Sequence, residues 1–217
     1  MANRVLAVLR KFYSWAIARD LTTNNPCEGL KPPSKQKSRD RILNEEELNI
    51  FWRACEAMSY PYGTYFQFLL LSGQRRSEVA EMTFDEIQGS DWVIPALRAK
   101  NGIKHTVPMT DKMLSLLRST DRDTGFVFTV TGDQPINNLG RAAKKLRTLM
   151  QTLAQDLGIA AMEEWRPHDL RRTAASGMAR CGIYQEVIDR VQNRISGKFA
   201  GVAGIYNRYD YEKEKRE

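Results

Sequence analysis

Apolar side chains recur at helical spacing along much of the chain, and the pattern changes most clearly at one place. Around Lys100-Asn101-Gly102 it gives way to Trp92-Val93-Ile94 on one side and Thr106-Val107-Pro108 on the other. Asn-Gly between two short β-prone runs is the strongest short-range signal for an antiparallel hairpin. A chain of 217 residues that is helical on both sides of such a hairpin is expected to be mainly α with a small antiparallel β-sheet, an α+β class.

The helical stretches can be placed in order. Residues 3–19 set Val5, Val8, Leu9, Phe12, Trp15 and Ala16 on one face, which needs a partner surface. Asn44 followed by Glu47 reads as a capping box that opens a helix through Leu48, Phe51, Trp52 and Cys55. A second helix over about 63–72 carries Phe66 and Phe68–Leu71 and stops at Ser72-Gly73; a short one follows around Arg76–Met82. Beyond the hairpin, helices are expected over 111–118, 137–157, 168–180, 184–192 and after 200, with a strand-like Phe126-Val127-Phe128 between them.

Charge is distributed unevenly. Lys plus Arg number 33 against 26 Asp plus Glu, a net +7. The segment 31–41, KPPSKQKSRDR, concentrates Lys31, Lys35, Lys37, Arg39 and Arg41 beside Pro32 and Pro33. Such a stretch cannot bury an apolar face and reads as a linker, either a solvated charge run or a strap along a phosphate backbone. No apolar run reaches the ~18 residues a bilayer span needs, and the N-terminus lacks a signal peptide's apolar block. Three widely spaced cysteines and two histidines give neither a disulfide framework nor a metal-ligand pattern. A basic, cytosolic, metal-free chain is the expectation.

Four polar groups stand out along the chain. Ser72-Gly73-Gln74-Arg75-Arg76-Ser77-Glu78 places arginines at the exit of an apolar helix, and Lys100 sits at the hairpin. Pro167-His168-Asp169-Leu170-Arg171-Arg172 opens a helix with His168 and Arg171 on one face. Gly204-Ile205-Tyr206-Asn207-Arg208 lies near the C-terminus. Taken singly, each is an ordinary surface or packing feature. In this order, with the blocks NPCEGLKPP, RDRILNEEEL, SGQRRSEVAEM, KNGIKHTVPM, RPHDLRRTAASGMA and GVAGIYNRYDY, they resemble the tyrosine recombinases of the phage-integrase family, in particular prophage and island integrases.

The resemblance runs from about 42 to 211. It implies a catalytic-domain fragment: residues 1–30 resemble the last helix of a core-binding domain, 31–43 the basic interdomain linker and 44–217 the catalytic domain. It also implies a bacterial cytoplasmic, nucleoid-associated enzyme that cleaves and rejoins double-stranded attachment-site DNA without cofactor or ATP. A full-length protein of this kind assembles as a tetramer on DNA, whereas this chain is expected to be monomeric.

By the same resemblance, Arg75 and Arg171 bind the scissile phosphate. Forked guanidinium groups that stay protonated suit that task. Tyr206 is then the nucleophile, with Tyr209 the fallback and Tyr211 pointing elsewhere. Lys100 is the general acid, and His168 a phosphate donor or the tyrosine's proton acceptor. Glu78 supports the arginine–histidine cluster; Arg76 and Arg172 make backbone-phosphate or surface contacts, and Lys31, Lys35, Lys37, Arg39 and Arg41 line the DNA.

The sequence departs from the family at Arg194, twelve residues before Tyr206, where a second histidine is usual. Arginine can donate to a phosphate oxygen but cannot exchange a proton near neutral pH. That leaves open a slower enzyme or a DNA-binding relic that cleaves poorly. A type IB topoisomerase-like relaxing activity is the neighbouring alternative.

Overall fold

A computed structural model describes residues 1–35, 39–194 and 211–216. The chain forms two compact units, Met1–Arg39 and Asp40–Glu217. Among the described residues no helix is long and apolar enough to cross a membrane.

In the first unit, helix α1 spans Ala2–Ile17. Of its expected apolar face only Ala16 is buried, and Val5, Val8, Leu9, Phe12 and Trp15 are exposed. The Pro-rich segment folds back along α1. The Asn3 amide donates to Ser34 O (2.7 Å) and accepts from the Ser34 N–H (3.1 Å), while the Arg10 guanidinium donates to Cys27 O (3.2 Å) and to Leu30 O.

The second unit opens at Asp40, inside the stretch expected to be linker. Leu43 is buried and its N–H donates to Thr173 Oγ1 (3.0 Å). Helix α2 (Glu45–Met58) starts at the expected capping box: Asn44 Oδ1 accepts from the Glu47 N–H (2.8 Å), and Glu47 Oε2 accepts from the Asn44 N–H (2.9 Å). Helix α3 (Tyr62–Ser72) is buried along most of its length and packs against α2 and three further helices: α4 (Arg76–Ala80), α5 (Asp111–Arg118) and α7 (Pro167–Arg180). Helix α6 (Leu139–Asp156) also packs on α2, and α8 (Gln185–Val191) packs on α7. Trp165 fills the centre, edge-on to Phe51 (5.6 Å between centroids) and Phe66 (6.3 Å).

The sheet has three antiparallel strands in the order β1 (Ile87–Gln88), β2 (Asp91–Ile94), β3 (His105–Pro108). Trp92 pairs with Val107 and Ile94 with His105, so these four form the buried face. Two sequence expectations are corrected here. Phe126–Phe128 forms no strand: Phe126 makes a single bridge to Thr83, and Val127 and Phe128 enter the core as loop residues. The β2–β3 connection is a long loop over 95–104 rather than a two-residue turn at Asn101-Gly102. It turns early, where the Arg98 and Ala99 N–H groups bond Pro95 O, and the Arg98 guanidinium then anchors it to Glu78 O and the Glu86 carboxylate.

Candidate active site

The last turn of α3 ends at Gly73, which takes a left-handed conformation (φ +60°). A Cβ there would lie 3.1 Å from the Gln192 side chain and 3.3 Å from Ala174 Cβ, so glycine serves both the turn and the close approach. Past it, the chain presents Arg75 immediately before α4. The Arg75 N–H donates to Glu78 Oε2 (3.2 Å), and its Nη1 donates to Glu78 Oε1 (2.9 Å). Glu78 Oε1 also accepts the Lys100 backbone N–H (3.3 Å), so one buried carboxylate orients both residues.

Pro167 supplies the first residue of α7, and the Asp169 carboxylate accepts the Arg166 N–H (2.8 Å), which sets the angle of the helix. This directs His168, Arg171 and Arg172 toward Arg75. An open cleft of about 510 Å³ results, lined by Arg75, Arg76, Ser77, Lys100, His168, Arg171, Arg172 and Arg194.

The end of α8 closes the floor of this arrangement. Terminal helix carbonyls lack intrahelical partners, and here the site's own side chains take them. Val191 O accepts from Gln74 Nε2 (2.7 Å) and from His105 Nε2 (3.0 Å); since a carbonyl only accepts, His105 carries its proton on Nε2. Gln192 O accepts from Arg171 Nη2, and Arg171 Nη1 donates to Gly73 O (2.9 Å). Asn193 O accepts from Arg75 Nη2 (2.9 Å). Sequence patterning assigns no site role to Gln74, Asn101, His105, Gln192 or Asn193. For His105 a signal existed, since it shares the inward period-two position with Val107.

The cleft concentrates positive charge. Burial, then the neighbouring Arg75 and Arg194, push the Arg171 pKa down from 12.5 to about 9, which leaves it protonated at neutral pH. His168 is held below its ordinary value by burial, then by Arg172, Arg171 and Arg194, with Asp169 opposing them. Besides Glu78 on Arg75 (2.9 Å), two acids compensate at the edges: Asp169 faces Arg172 (3.5 Å), and Asp189 faces Arg194 (3.8 Å).

The remaining expected site residues separate clearly. Arg41 does not join a solvent-facing strap; its guanidinium forks onto the Glu47 carboxylate, approaches Glu163 (3.5 Å) and donates to Glu163 O (3.1 Å). Its charge is satisfied inside the second unit. Lys31, Lys35 and Arg39 belong to the first unit. Lys37, Tyr206 and Tyr209 lie outside the described residues. Tyr211 lies with its ring 5.3 Å from the Arg190 guanidinium.

His105 gives the site a pH signature. Burial lowers its pKa from 6.5 to about 4; the Val191 hydrogen bond raises it, Lys215 lowers it, Glu78 raises it and Arg171 lowers it. The unfolded chain takes up this proton near 6.5 while the folded chain resists until about 4. The stability His105 contributes is therefore complete above pH 6.5 and falls by about 3 kcal/mol as the pH drops toward 4. Urea unfolding at pH 7.5 and 4.5 should show wild type losing about 2–3 kcal/mol more than His105→Gln; equal losses would show that the group does not titrate there.

The phage integrase family model matches residues 41–197. Prophage integrase IntA of Escherichia coli K12 is 31% identical over 159 residues, covering 70% of this chain and 35% of that protein. Tyrosine recombinase XerC of Xylella fastidiosa is 29% identical over 183 residues, covering 80% of this chain and 59% of its own length. This chain thus spans between about a third and three-fifths of these relatives. Among solved structures, a lambda integrase dimer bound to a COC′ core site superposes with a TM-score of 0.69 at 17% identity, covering 89% of this chain and 71% of that one. XerA recombinase gives 0.58 at 18%, covering 95% and 72%. The chain belongs to the phage integrase family.

Proposed function

We propose that residues 44–217 are the catalytic domain of a tyrosine-type site-specific DNA recombinase. It cleaves and rejoins duplex DNA through a 3′-phosphotyrosyl intermediate, and residues 1–30 end a core-binding domain. The observation that carries this reading is the cleft itself. Five arginines and a lysine converge on one open cavity, and burial, then two of those arginines, depress the pKa of a third. A phosphodiester supplies the anionic oxygens that relieve such repulsion, and it gains most charge in the pentavalent transition state. Duplex DNA is the ligand of that chemistry. Lys31, Lys35, Lys37 and Arg39 extend the contact along its backbone, and assembly into a tetramer belongs to the longer protein.

In the proposed step, the Tyr206 oxygen forms a bond to phosphorus and the bond from phosphorus to O5′ breaks. The tyrosine proton goes to His168, whose lowered pKa keeps it neutral and able to accept. The leaving O5′ takes a proton from the Lys100 ammonium. Arg75 and Arg171 hold the non-bridging oxygens, and Arg194 adds a third donor where it cannot move a proton. Religation reverses each transfer.

The test uses nicked suicide duplexes with a randomised core, selected for covalent attachment to the chain. The expected product is an adduct whose trypsin digestion places the nucleotide on peptide 199–208, which contains Tyr206. Cleavage after Arg208 puts Tyr209 and Tyr211 on the next peptide, so the position of the label decides the nucleophile. Salt-sensitive duplex binding without any adduct would instead establish a binding module.

A further inference from the structure

The loop that carries Lys100 is held to the body by a pair of amides that the catalytic scheme does not use. Asn101 Nδ2 donates to Asn193 Oδ1 (2.6 Å), and Asn193 Nδ2 donates back to Asn101 Oδ1 (3.3 Å). Asn193 is buried and adopts a left-handed conformation (φ 49°), which asparagine tolerates better than most residues. That geometry turns its carbonyl toward Arg75 Nη2 and its side chain toward the loop. One residue therefore joins a phosphate-binding arginine, the neighbour of the general acid and, through the peptide bond, Arg194.

We propose that Asn193 and Asn101 are positioning residues: they form a latch that registers Lys100 against the arginine-bound phosphate. Among the described residues, apart from turn bonds within 95–104 and the Arg98 anchor at its start, the Lys100 backbone is held by its N–H to Glu78 Oε1 at 3.3 Å. One long backbone bond fixes a point but leaves the loop free to rotate about it. The reciprocal amide pair on the adjacent residue removes that freedom. A proton donor is effective only within hydrogen-bond reach of the atom it serves, so losing the latch should damage protonation of O5′ in particular.

The proposal rests on the proposed role of Lys100, and the experiment separates the two. The duplex returned by adduct selection is made in two forms, one with the natural bridging O5′ and one with sulfur in that place. A thiol has a pKa near 8.5, far below an alcohol's, so a thiolate leaves without an acid. Asn101→Ala and Asn193→Gly are tested, the glycine keeping the left-handed backbone while removing the amide. Each should cleave the oxygen substrate about 10–50-fold more slowly than wild type and the sulfur substrate within about threefold of it. The double variant should be no slower than the slower single variant. Lys100→Ala, the control, should lose at least about 100-fold on oxygen and recover on sulfur. Equal loss on both substrates, or none on oxygen, overturns the latch while leaving Lys100 as the acid. Failure of sulfur to rescue Lys100→Ala, or no adduct from wild type, overturns the reading beneath it and the latch with it.

Discussion

Arg171→Gln should lower the rate of adduct formation by about 10³-fold or more while moving the urea midpoint of the DNA-free protein very little. On the proposed mechanism, the rate effect follows from losing a charged, forked donor to the developing phosphate charge; even one neutral donor at such a site accounts for about 10²–10³. The stability effect is a near-cancellation. Removing the guanidinium takes partners from Gly73 O and Gln192 O, at about 1–3 kcal/mol for each buried carbonyl. It also removes a buried cation held beside Arg75 and Arg194, whose lowered pKa records a cost of similar size. Arg171→Lys keeps the charge but not the fork, and should still lose about 10²-fold. Parallel rate and urea measurements on the three proteins check this; a Lys variant as fast as wild type would show that charge alone suffices.

The parts of this fold that were legible in the sequence are those fixed locally. The capping box at Asn44 and Glu47 needs only residues three apart, and Pro167 with Asp169 marks the start of α7 by the same kind of short-range chemistry. The two-residue strand Ile87–Gln88 has no pattern of its own and exists only through its pairing with β2. The Asn-Gly turn signal yielded to tertiary docking, because Asn101 is used on Asn193, 92 positions away.

The same division holds at the site. Arg75, Lys100, His168, Arg171 and Arg194 carry recognisable motifs and converge in one cleft. The carbonyl network beneath them joins residues such as Arg75 and Asn193, 118 positions apart, and no local window contains both partners. Arg41 is the converse case. Its basic surroundings suggest a solvated strap, yet its charge is claimed by Glu47 six residues later and Glu163 across the fold. Lysine-rich segments disclose their sign but not which member is already paired.

Gly63→Ala should prevent stable folding, the largest stability effect expected among the described residues. Gly63 lies in the first turn of α3 against the end of α2: an added Cβ would sit 2.0 Å from Cys55 O, 3.0 Å from Cys55 C and 3.3 Å from Met58 Cβ. The first two of these atoms are backbone, so no side-chain rotation relieves the overlap. The α2–α3 pair must separate, and around it lie Phe51, Phe66 and Trp165, the ring cluster at the centre of the core. Overpacking that side chains can absorb costs about 1–3 kcal/mol. Displacing a helix from a close-packed core exceeds that and approaches the 5–15 kcal/mol that holds a typical domain together. Gly140→Ala provides the opposite sign. It lies in the first turn of α6, where no described atom beyond its chain neighbours and its own helix backbone lies within 4 Å of an added Cβ, and loss of glycine's backbone freedom should stabilise by about 0.5 kcal/mol. Soluble yield and thermal unfolding of the two variants test the pair. A folded Gly63→Ala protein with an unchanged midpoint would mean that α2 and α3 do not approach this closely in solution.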